Sequence, residues 1–392
     1  MMDLSFRLVA ECARTILRTQ ADFSSFPLIC KTCFAYYRLR SGSRIVSSFP
    51  MAATIKDIAR ALKISTSTVS YALNSGPRNV PDEVRQRVLA TATELGYRPN
   101  RLAKSMVTGK TSTFGIVPPG TSILAAVGPY FQVVLNGILS AAEEVKHDVL
   151  IFTGFGDGNE DRFLDNVLDG RVDGLIFLAP PKDTEIFAHP ELAKVPHVMT
   201  NCWSPTSVPA INCDNGTGIH DALQHLVDLG HRSIGMLYGK FDLDDGVQRH
   251  RAFIDFMTAA QLPIRQEWLK NGHFTPAGGY SAAHELLSQK NRPTAVVCCN
   301  DEMAVGFVRA AAELKIEVPD QVSVIGFDDS PIAASVHPPI TTMCQPLEEM
   351  GRAAVLTLSA LVSGLPVQNQ TFSARLIVRA STSAAAGATS QN

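Results

Sequence analysis

From Thr113 onward, short continuous apolar runs alternate with helix-length amphipathic stretches, and that rhythm leaves few folds open. The runs are "TFGIV", "DVLIF", "GLIFL", "HVMT", "AINC", "SIGMLYG", "TAVVCCN" and "VSVIGFDD". Between them lie stretches such as "FQVVLNGILSAAEEV", "NGTGIHDALQHLVDLG" and "DEMAVGFVRAAAELK". A strand apolar on both faces has to be covered on both, and crossover helices do the covering. The pattern therefore predicts buried parallel sheets. Roughly 270 residues of it exceed one ordinary core, so two subdomains are expected.

Ligands of such sheets sit beyond the carboxyl ends of the strands. Asn201 follows "HVMT", Asn300 and Asp301 follow "AVVCC", and Asp328 and Asp329 follow "VIGF". Arg249 is expected to open the helix after "SIGMLYG". Each of these could equally cap a helix or close a turn; for Asp301 the capping role stands level with ligand contact. Asp301, Asp328 and Asp329 could also supply paired carboxylates for glycoside chemistry. No nucleophile elbow, phosphate loop or paired-histidine metal motif accompanies them, and "GDGNED" (156–161) is not expected to open a helix as such loops must. Enzymatic activity is not expected, nor is a cofactor or metal.

Charge divides the chain. Between residues 51 and 112 there are ten cations and four anions, a balance of +6. The first fifty residues carry +4, and with a total of −2 the remainder carries −12. A small basic module ahead of a large acidic one points to a polyanionic partner for the module alone. The longest apolar runs are strand-sized, so no membrane span is expected.

Within the basic module, "TIKDIARAL" begins with Thr54 three residues before Asp57, the spacing of a capping box. Ile55, Ile58, Ala59 and Leu62 then form one stripe of a first helix. Ser65 can cap a second, and the break between the two fits only a tight helix–turn–helix corner. "VPDEVRQRVLATATELGY" supplies a third helix, with Pro81 near its start and a stop at Gly96; its stripe is Val84, Val88, Ala92 and Leu95. In the second, "ISTSTVSYALN" (64–74), Thr66, Ser67, Ser70, Tyr71 and Asn74 share one face while Val69, Ala72 and Leu73 share the other. A helix destined for the major groove needs short or planar polar groups on its outer face and no acid to repel the backbone. A merely solvated bundle face would explain the hydroxyls as well; the +6 charge favours nucleic acid.

The residues "TIKDIARALKISTSTVSYALN", followed by "VPDEVRQRVLATATELGYRPNRLAKSM", resemble the DNA-binding headpiece of the LacI/GalR family of bacterial transcription regulators. "NRPTAVVCCNDEMAVG", "VPDQVSVIGFDDS" and "PPITTMCQP" resemble the effector domain of the same family. The likeness spans residues 54 to about 380. It implies an all-α helix–turn–helix headpiece (53–98), a hinge helix or linker (99–111), and an α/β two-subdomain periplasmic-binding-protein-like domain (112–380) for effector binding and dimerisation. By this resemblance Thr66, Ser67 and Tyr71 read bases, Tyr71 standing where family members often carry arginine. Thr54, Ser65, Ser70 and Asn74 become phosphate or framework contacts. In "NRLAKSMVTGKT", Asn100 can cap a short helix that Gly109 ends, Lys104 can meet phosphate, and Met106 stands at the apolar wedge that pries a central minor-groove step.

For the large domain the resemblance implies effector contacts at Asn201, Arg249, Asn300 and Asp328, with Tyr130, Phe131 and Phe274 as walls. Amide, guanidinium and carboxylate groups around flat rings suit a polyhydroxylated ligand, so a sugar or sugar derivative is expected. Asn201, where relatives often have aspartate, makes the site less acidic. The function implied is a ligand-responsive, sequence-specific transcription regulator, expected to be a repressor, binding a roughly palindromic operator as a homodimer. The alternative is a solute-binding sensor without DNA-binding activity.

The eight cysteines are scattered, which suits a reducing cytoplasm; "CKTC" (30–33) has no second pair to complete a zinc site. Residues 1–50 show neither a signal sequence nor a periodic helix continuing into Met51. They are expected to be a non-native extension, with translation starting at Met51, or a disordered tail. The small, polar "ASTSAAAGATSQN" offers no tetramerisation heptads, and a disordered tail is expected from 381 to 392.

Overall fold

The computed structural model describes residues 53–74, 80–99, 105, 108–118, 128–156, 158–182, 184–202 and 208–385. The expectations placed on residues 1–50, Asn100, Lys104 and Met106 lie outside them. The chain divides into two compact units, Met1–Asn100 and Arg101–Asn392.

The first unit contains three helices, α1 (Ile55–Leu62), α2 (Thr66–Asn74) and α3 (Asp82–Glu94). One Asp57 carboxylate oxygen takes both the Thr54 backbone N–H at 2.9 Å and its hydroxyl at 2.7 Å, so the expected capping box forms. Lys63 turns the corner in the left-handed region (φ 55°), and Ser65 Oγ then accepts the Thr68 N–H at 3.0 Å to cap α2. Ile58, Ala59, Val69, Ala72, Val80, Val88 and Ala92 form the buried core. Leu95 departs from expectation: it is 41% exposed, because α3 ends at Glu94 and Leu95 sits in its cap. From α3, Arg85 donates to the Ala72 carbonyl at 3.3 Å and ties α3 to the last turn of α2.

The second unit holds two six-stranded sheets. The first is ordered β11-β5-β4-β3-β1-β2, every neighbour parallel. Its strands are β1 (Thr113–Val117), β2 (Asp148–Ile151), β3 (Gly174–Leu178), β4 (His197–Thr200), β5 (Ala210–Cys213) and β11 (Gln370–Phe372). The second is ordered β12-β10-β9-β8-β6-β7, parallel except for the antiparallel β12. It comprises β6 (Ile234–Tyr238), β7 (Leu269–Asn271), β8 (Ala295–Cys298), β9 (Ser323–Asp328), β10 (Thr341–Cys344) and β12 (Arg375–Ile377). All eight apolar runs are strands, as expected. Four strands were not legible: β7, β11 and β12, of three residues each and partly exposed, and β10, whose "TTMC" is not an apolar run.

Helices α4 (Pro129–Glu144), α5 (Glu160–Val167) and α11 (Leu347–Val362) belong to the first sheet. The second carries α6 (Asn215–Asp228), α7 (Asp244–Ala259), α8 (Pro276–Leu287), α9 (Asp301–Glu313) and the short α10 (Pro331–Ser335). Each sheet with its helices is a lobe, and the chain crosses between lobes three times: after β5, after β10, and between β11 and β12. The first and third crossings are joined where the Asp214 N–H donates to the Phe372 carbonyl at 2.8 Å.

Two expectations are corrected. "GDGNED" does open a helix: Asn159 Oδ1 accepts the Arg162 N–H at 3.1 Å and caps α5 directly after β2 and its glycines. Glu160 and Asp161 fill that helix's first turn, so its N-terminus is still no phosphate cradle. The expected disordered tail also begins too early. Ser381 is fully buried, its hydroxyl donating to the Val324 carbonyl at 2.6 Å, and the Ala385 N–H reaches the Leu229 carbonyl at 2.8 Å. Residues 381–385 are held by backbone groups of the second lobe, which their bland composition does not reveal.

Candidate functional site

On the first unit, Thr66 and Ser67 of α2 are exposed and Ser70 is half-buried, with no acid in the helix's first turn. Ser65 Oγ lies 2.8 Å from both Ser67 Oγ and Thr68 Oγ1, so the hydroxyls form one cluster at the helix start. Backbone donors there and the helix dipole favour an anion such as phosphate. Tyr71 is half-buried and packs against the bundle core, so part of its ring is committed to the fold. Asn74 ends α2, but its side chain lies outside the described residues. Within the expected hinge segment, Ser105 and Thr108 are helical, and Gly109 (φ 66°) donates its N–H to the Ser105 carbonyl at 2.8 Å, the ending expected of it. Where the chain enters the first lobe, Asp173 takes the Thr111 N–H (2.6 Å), the Thr111 hydroxyl (2.9 Å) and the Ser112 N–H (2.8 Å).

On the second unit, the strand ends bring one polar network together between the lobes. Tyr130, in the first turn of α4, donates its hydroxyl to Asn201 Oδ1 at 2.6 Å. Across the cleft, Asn201 Nδ2 donates to Asp245 Oδ2 at 3.2 Å. The other Asp245 oxygen accepts from Asn215 Nδ2 at 2.8 Å. Arg249 Nε donates to Asn215 Oδ1 at 2.7 Å, and its Nη1 donates to the Cys299 carbonyl. The guanidinium lies 3.5 Å from Asp245 and 3.7 Å from Asp328, and 3.8 Å above the Phe327 ring. Asp328 in turn accepts from Gln345 Nε2 at 2.6 Å.

Burial governs the charges. Arg249 is 2% exposed; burial works against its charge, but Asp245 and Asp328 outweigh that and hold its pKa above the ordinary value. Burial pushes Asp328 well up, and Arg249 pulls the other way. Tyr130 is also pushed well up, by burial first and then by the nearby carboxylates, so its hydroxyl stays a donor. Cys213 and Cys299 are raised to about 12 by burial, which rules them out as thiolate nucleophiles. Asn201 and Asp328 have left-handed backbones (φ 52° and 119°), a conformation that costs energy and collects at ligand sites.

Of the expected effector residues, Tyr130, Asn201, Arg249 and Asp328 meet in this network. Asn300 is otherwise employed: its Oδ1 caps α9 through the Met303 N–H at 3.0 Å, and its Nδ2 reaches the Phe274 carbonyl at 3.3 Å. Phe274 (φ 57°) packs its ring on Gly239, where a side chain would collide with it. Phe131 is buried in the apolar core with α4 and adds no polar group. Asp301 is neither cap nor free: it takes the Ser330 N–H at 2.7 Å and the Thr342 hydroxyl at 2.6 Å, and burial raises it to about 6. Its role is to pin the loop after β9.

Arg249 does not open its helix; α7 starts at Asp244, one turn and more earlier. That misplaced boundary hid Asp245, which lies four residues before Arg249 on the same face. Asn215 and Gln345 were also missed. Both sit at crossings between the lobes, a position that only the topology reveals.

The comparisons with known proteins agree. The family model "Bacterial regulatory proteins, lacI family" matches residues 54–100, and "Periplasmic binding protein-like domain" matches 223–382. The ribose operon repressor of Haemophilus influenzae is 33% identical over 309 residues, covering 78% of this chain and 91% of that protein. Among solved structures, the lac repressor dimer bound to operator and the anti-inducer ONPF superposes with a TM-score of 0.76 at 26% identity, covering 85% of this chain and 99% of the other. The transcriptional regulator CelR–cellobiose complex gives 0.65 at 27% identity, covering 84% and 99%. A capped helix–turn–helix bundle followed by a two-lobed, thrice-crossed α/β unit, matched along this length, places the chain in the lacI family of bacterial regulatory proteins.

Proposed function

We propose that this protein is a ligand-responsive, sequence-specific repressor of transcription that binds operator DNA through its first unit and a small polyhydroxylated effector between the lobes of its second. The observation that carries the reading is the acid-free hydroxyl cluster at the start of α2 in a chain whose other unit gathers buried Arg249, Asp328 and Asn201 with half-buried Tyr130 between two lobes. Relatives described as a ribose operon repressor and a cellobiose-bound regulator support a sugar as effector. Two copies on a roughly palindromic operator, as in the lac repressor dimer on its operator, are the expected assembly. Thr66, Ser67 and Tyr71 read bases; Thr54, Ser65, Ser70, Asn74 and Lys104 hold phosphate or framework; Met106 is the wedge after Asn100. Among the described residues no helix is long and apolar enough to cross a membrane.

Effector binding acts on DNA affinity only if the DNA-competent and incompetent states bind the effector differently. A gel-shift series on genomic fragments at several salt concentrations tests the reading. Phosphate neutralisation predicts a steep loss of affinity with salt. Equal retention of specific and scrambled duplex would refute the repressor and leave the solute-binding sensor.

A further inference from the structure

The cleft between the lobes is built against negative charge. Arg249 is its buried cation, and that cation is already matched. Two carboxylates flank it at 3.5 and 3.7 Å, and Nε and Nη1 are occupied by Asn215 and the Cys299 carbonyl. Only Arg249 Nη2 lacks a hydrogen-bond partner, and the other unpartnered atom in the network is an acceptor, Gln345 Oε1.

The backbone tells the same story. Helix N-termini at strand ends are the ordinary seats of phosphate groups, because free N–H donors and the dipole converge there. Here three of the five such starts in the second lobe carry their own acid, while α8, capped by Thr275, and the short α10 carry none. Asp214 caps α6, accepting the Thr217 N–H at 3.0 Å; Asp244 and Asp245 open α7; Asp301 and Glu302 open α9. The segments that follow β1 and β4 in sequence, "PGTSILAAV" (119–127) and "WSPTS" (203–207), contain no lysine or arginine. Lys182 and Lys240, in the loops after β3 and β6, are solvent-exposed and share that end with Asp242.

We infer that Asp245 makes this cleft selective for uncharged effectors and excludes phosphorylated or carboxylated ones. A phosphate needs several converging donors and an uncompensated positive charge. Among the described residues the network offers one spare buried donor beside two acids. A hydroxyl group meets both needs at once, accepting from Arg249 Nη2 and donating to Gln345 Oε1 or a carboxylate. The inference rests on the cleft's being the effector site and goes further, naming the class of molecule admitted and the residue that sets it.

The test uses the full chain and three probes: inorganic phosphate, D-ribose 5-phosphate and D-ribose. Binding is followed by calorimetry and thermal shift at low ionic strength. The wild type should bind either phosphate compound no better than Arg249→Met, which leaves the anion-favouring start of α2 intact. Asp245→Asn, which removes one charge beside Arg249 and keeps the side chain's size, should gain saturable phosphate binding, about tenfold tighter than the wild-type limit or more. The gain should vanish in the double variant Asp245→Asn with Arg249→Met. Asp245→Ser serves if the asparagine variant does not fold, and circular dichroism checks each protein. Wild-type binding of ribose 5-phosphate or phosphate that Arg249→Met abolishes overturns the inference, as does a folded Asp245 variant with no gain. A failure of the effector reading looks different: no metabolite, charged or neutral, would change operator retention, whatever the phosphate titrations show.

Discussion

Asn201 and Asp245 form a bond across the cleft: the amide at the end of β4 donates at 3.2 Å to a carboxylate in the first turn of α7, joining one lobe to the other. A second link, from the Lys182 N–H to the Asp242 carbonyl at 2.8 Å, lies at the same edge. The lobes are thus drawn together by the protein's own groups, and an effector must exchange with them.

Replacing Asn201 by Ala removes the cross-lobe donor and the acceptor of the Tyr130 hydroxyl. Hydrogen bonds to charged groups contribute about 1.5–3 kcal/mol, neutral ones about 1. The variant should melt several degrees lower and show a larger radius of gyration by small-angle scattering. An unchanged radius would mean that the bond does not hold the lobes together.

Where α4 and α11 cross, Gly137 and Gly351 let two backbones touch. A Cβ at Gly137 would lie inside the carbonyl of Glu348, and one at Gly351 inside that of Val134. Backbone cannot step aside as a side chain can, so Gly137→Ala should cost about 3 kcal/mol, at the upper end for overpacking. Urea unfolding monitored by circular dichroism measures it. A midpoint equal to wild type would show that the helices can separate freely.

The start of α2 carries a paired prediction. Ser65→Ala loses the cap on the Thr68 N–H and should destabilise the headpiece by about 1 kcal/mol. Tyr71→Ala should change which bases are preferred, whereas Lys104→Ala should weaken all sites evenly and flatten the salt slope. Selection from random duplexes reads both, and the reverse pattern would exchange the two roles.

A pH prediction follows from His231. Its Nε2 faces the Ser383 carbonyl at 3.0 Å and its Nδ1 the Thr294 hydroxyl at 2.9 Å, with His225 and Arg232 nearby. Burial holds its pKa below the ordinary 6.5, so the unfolded chain takes up the proton first. The stability it contributes is complete above about pH 6.5 and is lost as the pH falls below that. Asp301, raised to about 6, works in the opposite direction, so the wild-type profile alone is mixed. The difference in melting temperature between wild type and His231→Gln should narrow from pH 7.5 to 5.5. A constant difference would acquit His231.

What the sequence revealed follows a physical divide. Strands and caps are local: eight apolar runs and the Thr54–Asp57 pair could be read because each depends on neighbours within a few residues. The cleft is not local. Tyr130, Asn201, Arg249 and Asp328 could be placed by their strand ends and by likeness to a family, but nothing in the spacing shows that Asn215 and Gln345 join them from two crossings. Asp245 was lost to a helix boundary set five residues late. Ser381 was lost because its burial depends on Val324, far away in the chain, and not on its own composition.

The three crossings between lobes limit what can be cut from this chain. The headpiece is one unbroken stretch and can be excised or grafted as such. Neither lobe can: the first is assembled from residues before α6 and again from α11 and β11, the second from the piece between and the last strand. A recombination event that exchanged one lobe alone would need several simultaneous breakpoints. Headpiece and sensor can therefore be shuffled between relatives as whole cassettes, while the two halves of the sensor have to change together by point substitution.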